Sequence, residues 1–144
     1  MLPVLPVVGA GVGLAAGLVF AIVRGIAGSG WLAAVLAVGM AILITRALHE
    51  DGLADTADGL GPHGLAAERR LEIMRDSRNG TFGVLAIALT VLIKVACLAQ
   101  FSGSTGFAVL IAAHALSRAV IAYPLLAFSP VRPDGLGVQA GKPT

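Results

Sequence analysis

Four apolar stretches, each about as long as a membrane-crossing helix, dominate this chain. A helix needs about 20 mostly apolar residues to cross the hydrocarbon core of a bilayer. The stretches cover residues 4–23, 31–48, 82–101 and 107–128. Charged residues make up only 12% of the chain, about half of the share found in soluble domains. The sequence therefore predicts an all-α fold, a polytopic membrane helix bundle with about four transmembrane helices.

The distribution of basic residues predicts the orientation of these helices. The segment between the second and third stretches contains Arg69, Arg70, Arg75 and Arg78, and Arg132 and Lys142 follow the fourth stretch. The turn at 102–105 carries no basic residue. Because cytoplasmic loops of membrane proteins are enriched in Lys and Arg, we expect residues 49–80 to form a cytoplasmic loop that carries the functional site. A net charge of +2 is too small to indicate nucleic-acid binding.

The start of that loop is strongly acidic. Four of the eight acidic residues fall within nine positions, namely Glu50, Asp51, Asp55 and Asp58. On a helix, the three aspartates would lie within a wedge of roughly 60°, and the glutamate would lie off it. Carboxylates on one face repel each other unless a cation with oxygen ligands binds between them. The cluster predicts a divalent metal site, and its spacing differs from that of a calcium-binding EF-hand.

The rest of the loop has its own pattern. Gly61-Pro62-His63-Gly64 should end the acidic helix, and residues 66–76 should form a short amphipathic helix. Asn79-Gly80 is typical of a turn, after which Thr81 is a candidate N-cap for the third stretch.

Two arginines and a histidine in this loop are candidates for substrate binding or catalysis. Arg75 and Arg78 are three residues apart, and a guanidinium can donate two parallel hydrogen bonds to one phosphate. They suit equally well a role as cytoplasmic anchors paired with nearby acids. His49, beside the acids, could be a general base, a donor that orients an acid, or an interfacial residue.

Two cations interrupt the apolar stretches. An unpaired arginine in the middle of a membrane costs about 2.5–3.5 kcal/mol. We therefore expect Arg118 to face the bundle, with an acid or a substrate phosphate as its partner. Lys94 should either extend outward to the interface or line a polar gap.

The first stretch repeats small residues at every fourth position. Gly9, Gly13 and Gly17 would line one helix face, which allows close approach of another helix. That helix can belong to the same chain or to a second copy, which makes this face a candidate homo-oligomer contact.

Three strings resemble the cobalamin synthase family, also called adenosylcobinamide-GDP ribazoletransferases. They are HEDGLADTADGL at 49–60, ERRLEIMRDSRNGTFGVLA at 68–86 and ALSRA at 115–119. The resemblance implies a multi-pass enzyme of the bacterial inner membrane that uses Mg²⁺. Such an enzyme joins adenosylcobinamide-GDP to α-ribazole or its 5′-phosphate and releases GMP.

The resemblance also implies roles for individual residues. The acidic motif would supply the metal ligands Glu50, Asp51, Asp55 and Asp58, and the catalytic set would be Asp51, Asp55, Asp58 and His49. The substrate-binding set would be Arg75, Asp76, Ser77, Arg78 and Arg118. The family usually has more than four membrane spans, so we expect this chain to be a partial or shortened member.

Two other functions fit parts of the pattern. Asp55-Thr56-Ala57-Asp58-Gly59 matches the start of the signature of CDP-alcohol phosphotransferases, but the Ala-Arg that should follow is absent. No later pair of aspartates four residues apart appears. A non-catalytic, cation-binding membrane protein would also explain the acids, but it would not need Arg75 and Arg78.

Overall fold

The computed structural model describes residues 4–76 and 78–129, and these residues form six helices and no strand. The helices are α1 (Val4–Ala27), α2 (Gly30–Ile44), α3 (Leu48–Leu60), α4 (Ala67–Ile73), α5 (Thr81–Leu98) and α6 (Gly103–Ala127). The predicted all-α fold class is confirmed. Ser77 and the tail residues Arg132 and Lys142 lie outside the described residues.

The small-residue face of α1 packs directly against α6. A Cβ atom built on Gly13 would lie 2.5 Å from the carbonyl oxygen of Leu110, and one on Gly9 would collide with the carbonyl oxygen of His114. A Cβ atom built on Gly17 would lie 2.9 Å from a ring carbon of Phe107. The predicted packing face is confirmed, but its partner is a helix of the same chain. Because α6 fills this face, the structure gives no support to a homo-oligomer contact through Gly9, Gly13 and Gly17.

The centre of the bundle combines one large side chain with many alanines. Phe20 of α1 is fully buried, and its ring packs against Gly106 of α6. A Cβ atom on Gly106 would collide with this ring. Ala33, Ala34 and Ala37 of α2 are also fully buried. Because these alanines are small, α2 can pack closely against α1 and α5, and the helices keep many of their large apolar residues on the outside.

Three of the described helices are long and apolar enough to cross a membrane, namely α1, α5 and residues 103–124 of α6. The predicted second span, 31–48, is interrupted. α2 has only 15 residues, and α3 leaves it at an angle of 88°. The two helices count as one broken span or as a re-entrant segment, which gives three or four crossings.

A Schellman motif causes the break after α2. The N–H of Ala47 donates to the carbonyl of Ile42, and the N–H of Arg46 donates to the carbonyl of Leu43. This is the hydrogen-bond pattern that ends helices through a left-handed residue. Arg46 has a φ of 53°, in the position that glycine usually occupies. No glycine marks this helix end, so no local sequence pattern indicates it.

The acidic helix α3 runs back along α5. In its first turn, Glu50 contacts Lys94 of α5. In its last turn, Asp58 accepts hydrogen bonds from the N–H groups of Gly80 and Gly83. Ala54, between them, is fully buried. Residues 49–60 are therefore not an open loop but a helix packed on a membrane-length helix. The predicted helix end at 61–64 is confirmed, and the predicted helix at 66–76 is shorter than expected, covering Ala67–Ile73.

Candidate functional site

The carboxylate of Asp58 caps the N-terminus of α5. Its Oδ2 accepts a 2.7 Å hydrogen bond from the N–H of Gly80, and its Oδ1 accepts a 2.8 Å bond from the N–H of Gly83. The first N–H groups of a helix have no partner inside the helix, and its positive dipole end favours an anion. Asp58 is only 9% exposed and fills this role from another helix.

This arrangement corrects the expected N-cap of α5. Thr81 is the first residue of α5, and the N-cap position is held by Gly80, which has no side chain to offer. The glycines at 80 and 83 make room for the carboxylate of Asp58. A Cβ atom on Gly80 would lie 2.5 Å from Asp58 Oδ1, and one on Gly83 would collide with Oδ2. The acidic motif and the second motif therefore meet at Asp58.

The four predicted metal ligands do not converge. Within residues 4–76 and 78–129, no three His, Cys, Asp or Glu side chains are grouped closely enough to hold a metal ion. Glu50 pairs with Lys94, and both oxygens of Asp58 are bonded to backbone N–H groups. Asp51 is exposed and Asp55 half-buried, one helical turn apart on α3. These two carboxylates fit a Mg²⁺ ion that takes its remaining ligands from water and substrate phosphates.

A groove of about 470 Å³ opens beside Asp58 and the start of α5. Asp76 and Arg78, from the second motif, line it together with Asn79 and Thr81. Three of the predicted site residues, Asp58, Asp76 and Arg78, therefore line this groove. Arg75 is exposed just after α4, and Ser77 is outside the described residues.

Arg78 and Asp76 form a two-pronged ion pair at the rim of this groove. Arg78 Nη2 donates a 2.7 Å hydrogen bond to Asp76 Oδ2, and Arg78 Nε donates one of 3.0 Å to Oδ1. The hydrogen bonds from Arg78 lower the pKa of Asp76 to about 2, and the same contact raises the pKa of Arg78. Both side chains remain exposed, so a phosphate could replace Asp76 in the fork of Arg78.

A second cavity, of about 370 Å³, lies among α2, α3, α5 and α6. Its apolar wall includes Val38, Ala41, Ile42 and Ile121. Its polar wall includes His49, Glu50, Lys94, His114, Ser117 and Arg118. We call this space the polar cavity. The predictions that Arg118 faces the bundle and that Lys94 lines a polar gap are both confirmed.

The side chains of the polar cavity are only partly paired. Lys94 Nζ lies 3.4 Å from Glu50 Oε1, a long ion pair, and Glu50 Oε2 is buried without a hydrogen-bond partner. Arg118 Nη1 contacts Ser117 Oγ at 2.8 Å and His114 Nδ1 at 3.1 Å. The expected partner of Arg118, an acid or a phosphate, is thus replaced in this structure by two side chains of its own helix.

Three of the predicted residues, His49, Glu50 and Arg118, therefore belong to a different space from the aspartates. The sequence missed His114, Ser117 and Lys94 as their neighbours. The signal for two of them was present: Ser117 lies in the third motif string, and Lys94 is a charge inside an apolar stretch. What brings them together is the bend after α2, which carries α3 across to α5 and α6.

Comparisons with known proteins agree with the motif strings. The family model described as cobalamin-5-phosphate synthase matches residues 1–143. The adenosylcobinamide-GDP ribazoletransferase of Allorhizobium ampelinum is 46% identical over 142 residues, which cover 96% of this chain and 54% of that protein. The protein of the same name from Bradyrhizobium diazoefficiens is 49% identical over 140 residues, again 96% and 54%. The one from Azorhizobium caulinodans is 44% identical over 141 residues, 96% and 53%.

The chain spans about half the length of the curated relatives it matches. No solved structure matches it significantly.

Proposed function

The chain belongs to the cobalamin-5-phosphate synthase family, and we propose that it carries the transfer reaction for which its relatives are named. The reaction joins adenosylcobinamide-GDP to α-ribazole or its 5′-phosphate and releases GMP. The observation that carries the proposal is the junction at Asp58. It ties the acidic segment to Gly80 and Gly83 of the second motif, and so builds one groove from both motifs.

In this reaction a ribose hydroxyl oxygen attacks the phosphorus of the pyrophosphate that bears the cobinamide. The new O–P bond forms, the P–O bond to GMP breaks, and the hydroxyl proton passes to a base. Negative charge grows on the phosphate oxygens, so catalysis depends mainly on positioning and electrostatic stabilisation. Arg78 lines the groove and can stabilise this charge. It now pairs with Asp76, whose place a substrate phosphate can take.

Magnesium is part of the proposal. Mg²⁺ commonly binds one or two carboxylates and completes its shell with water and substrate phosphates. Asp51 and Asp55 would hold it, and it would neutralise charge on the pyrophosphate. Asp58 would position the groove, because its two oxygens accept hydrogen bonds from the backbone N–H groups of Gly80 and Gly83.

We further propose that the chain lies in a bacterial inner membrane with residues 61–80 on the cytoplasmic side. Adenosylcobinamide-GDP and α-ribazole 5′-phosphate carry charged phosphate groups, which do not cross lipid. The arginines at 69, 70, 75 and 78 support this orientation, since basic residues accumulate on the cytoplasmic side.

The test is an assay of GMP release by the chain in lipid nanodiscs. We expect GMP only when adenosylcobinamide-GDP, the ribazole acceptor and Mg²⁺ are all present, with equal amounts of the cobalamin product. Release of GMP without the acceptor would indicate a hydrolase instead. No release under any of these conditions would refute the transferase proposal for this chain.

A further inference from the structure

We infer that the polar cavity binds the headgroup of an anionic phospholipid that carries a hydroxyl group, such as phosphatidylglycerol. In this assignment, Lys94 and Arg118 bind the lipid phosphate, and a hydroxyl of the headgroup donates to Glu50. The site is separate from the groove beside Asp58, to which the transfer reaction is assigned, so it goes beyond the proposed function and does not depend on it.

The cavity is open between α5 and α6. A turn of only four residues, 99–102, joins these two helices, yet they make few contacts with each other. α6 packs on α1, whereas α5 packs on α2 and α3. The side chain of Lys94 on α5 is 50% exposed, although it lines the cavity together with Arg118 of α6. In a membrane, this open side faces lipid, so a lipid can enter the cavity without crossing water.

The charge of the cavity favours an anion. Lys94 and Arg118 both line it, and Glu50 is the single carboxylate on its wall. Among the described residues, Arg118 has no carboxylate partner and contacts Ser117 and His114 instead. A guanidinium can donate two parallel hydrogen bonds to one phosphate group. Basic pockets between membrane helices are also the places where anionic lipid headgroups bind.

Glu50 adds a requirement for a hydrogen-bond donor. Its Oε2 is buried and has no hydrogen-bond partner, and buried acceptors are normally paired. The phosphate of a phospholipid is ionised and cannot donate, whereas a glycerol headgroup has two hydroxyl groups that can. The ammonium group of phosphatidylethanolamine could also donate, but that lipid has no net charge and would leave one of the two cations unbalanced.

The size and the surroundings of the cavity suit a lipid. Its volume of about 370 Å³ lies at the lower end of the range for small-molecule sites, about 300–1,000 Å³. Apolar side chains stand next to both cations: Ile93 is 61% exposed beside Lys94, and Val120 is 67% exposed two residues after Arg118. The headgroup therefore finds polar partners inside the cavity, and the acyl chains find apolar surface outside it.

The direct test is a titration of the chain in detergent with single lipids, followed by native mass spectrometry. We expect phosphatidylglycerol to bind about tenfold more tightly than phosphatidylcholine, which has neither a net charge nor a hydroxyl group. Phosphatidylethanolamine should also bind more weakly than phosphatidylglycerol. Equal binding of all three lipids, or tighter binding of phosphatidylethanolamine, would overturn the assignment.

Substitution of the two cations tests the phosphate contact. Arg118→Met and Lys94→Met should each weaken the binding of phosphatidylglycerol by about tenfold, because hydrogen bonds to charged groups are lost. Arg46→Met is the matched control, since Arg46 is an exposed cation near the end of α2 that does not line the cavity. Wild-type affinity in both cavity variants, or an equal loss in the control, would refute the site.

A pair of alanines on α6 tests the location without changing any charge. Ala113 lines the cavity, and its neighbour Ala112 is also exposed but does not line it. Ala113→Phe should fill part of the space and remove the preference for phosphatidylglycerol over phosphatidylcholine, whereas Ala112→Phe should keep it. Circular dichroism checks that both variants retain the helix content of the wild type. The same preference in both variants would place the lipid elsewhere on the chain.

Glu50→Gln tests the hydroxyl contact, with phosphatidylmethanol as the comparison lipid. Phosphatidylmethanol has the same charge as phosphatidylglycerol but no hydroxyl group. The wild type should prefer phosphatidylglycerol, and Glu50→Gln should reduce this preference, because an amide is a weaker acceptor than a carboxylate. Both lipids should bind the variant at least as tightly as they bind the wild type, since a negative charge is removed. An unchanged preference would refute the role of Glu50.

A soluble phosphate ester could offer the same groups as the lipid headgroup. Glycerophosphoglycerol, which is the headgroup of phosphatidylglycerol with its glycerol backbone but without acyl chains, distinguishes the two sources. We expect it to displace bound phosphatidylglycerol only at a concentration at least about a hundredfold above that of the lipid, because it buries no apolar chains. Displacement at an equal concentration would assign the cavity to a soluble ligand and overturn the lipid site.

Discussion

Oδ1 of Asp58 accepts a 2.8 Å hydrogen bond from the backbone N–H of Gly83, 25 residues further along the chain. The pair connects the end of α3 to the start of α5, and the neighbouring bond to Gly80 holds the turn that carries Arg78. The position of the groove therefore depends on one buried carboxylate. Its charge is stabilised by the N–H groups at the helix terminus.

We expect Asp58→Asn to destabilise the protein by about 1–3 kcal/mol even without magnesium. The amide loses the charge-assisted bonds and turns an N–H₂ group toward one of the two backbone donors. Helix loss during titration with a denaturing detergent, followed by circular dichroism, measures this change. Asp51→Asn is the control, because Asp51 is exposed. Equal stability of both variants would mean that the cap at α5 contributes little.

Gly13→Ala should destabilise the bundle, whereas Gly11→Ala on the same helix should not. A Cβ atom on Gly13 meets backbone atoms of Leu110 and Ile111, which cannot move without shifting α6, so we expect a cost of about 1–3 kcal/mol. A Cβ atom on Gly11 has no neighbour within 4 Å, and alanine is the better helix former by about 0.5–1 kcal/mol. The same detergent titration compares them. A stable Gly13→Ala protein would contradict the α1–α6 contact.

Arg78→Lys should raise KM for adenosylcobinamide-GDP by about tenfold or more, because lysine keeps the charge but loses the two-pronged contact. The depressed pKa of Asp76, about 2, means that its ion pair with Arg78 is present above that pH and is lost only as the pH falls through it. The effect should therefore be the same from about pH 5 to pH 8.

Arg69→Lys is the matched control for this prediction. Arg69 also pairs with an acid, at 2.7 Å from Glu72, but it does not line the groove. Its KM should stay at the wild-type value. An equal rise in KM in both variants would show that Arg78 does not bind the substrate phosphate specifically. Arg78 would then be a cytoplasmic anchor, the alternative role predicted from the sequence.

Asp51→Asn and Asp55→Asn should each increase the Mg²⁺ concentration needed for half-maximal GMP release, because each removes a charged oxygen ligand. Binding of Mn²⁺, followed by electron paramagnetic resonance in the presence of the nucleotide substrate, should weaken in parallel. Glu68→Gln, a change to an exposed acid on α4, is the control. An unchanged Mg²⁺ requirement in both aspartate variants would remove α3 from the metal site.

The sequence predicted the helices better than their connections. Apolar length was enough to find α1, α5 and α6, and glycine spacing was enough to find the face of α1 that packs on a neighbour. The bend after α2 was missed because it depends on a left-handed backbone conformation at Arg46. Glycine usually occupies such a position and marks the helix end in the sequence. That bend lays α3 along α5, where Glu50 contacts Lys94 and Asp58 contacts Gly80 and Gly83.

The metal site shows the same limit. The spacing of Asp51, Asp55 and Asp58 places them near one face of α3. The spacing alone does not predict which group of α5 each carboxylate contacts. Asp58 is near enough to the start of α5 to cap it, a long-range contact that no local pattern encodes. The cations of the polar cavity lie on α5 and α6, far apart in sequence from His49 and Glu50, so only the tertiary packing could group them.

The orientation in the membrane is tested by cysteine labelling in a Cys97→Ala background. His63 and Ser104 are exposed and lie toward opposite ends of α5, and Gly64 is unsuitable because its φ of +76° would strain a cysteine. We expect a membrane-impermeant reagent to label cysteine at position 104 in intact cells. It should label cysteine at position 63 only in inverted vesicles, since the arginines near residue 63 favour the cytoplasmic side. Solubilised membranes, in which both positions react, provide the control. The reverse pattern would place the Asp58 groove on the side of the membrane that lacks nucleotides, and it would contradict both the orientation and the transferase proposal.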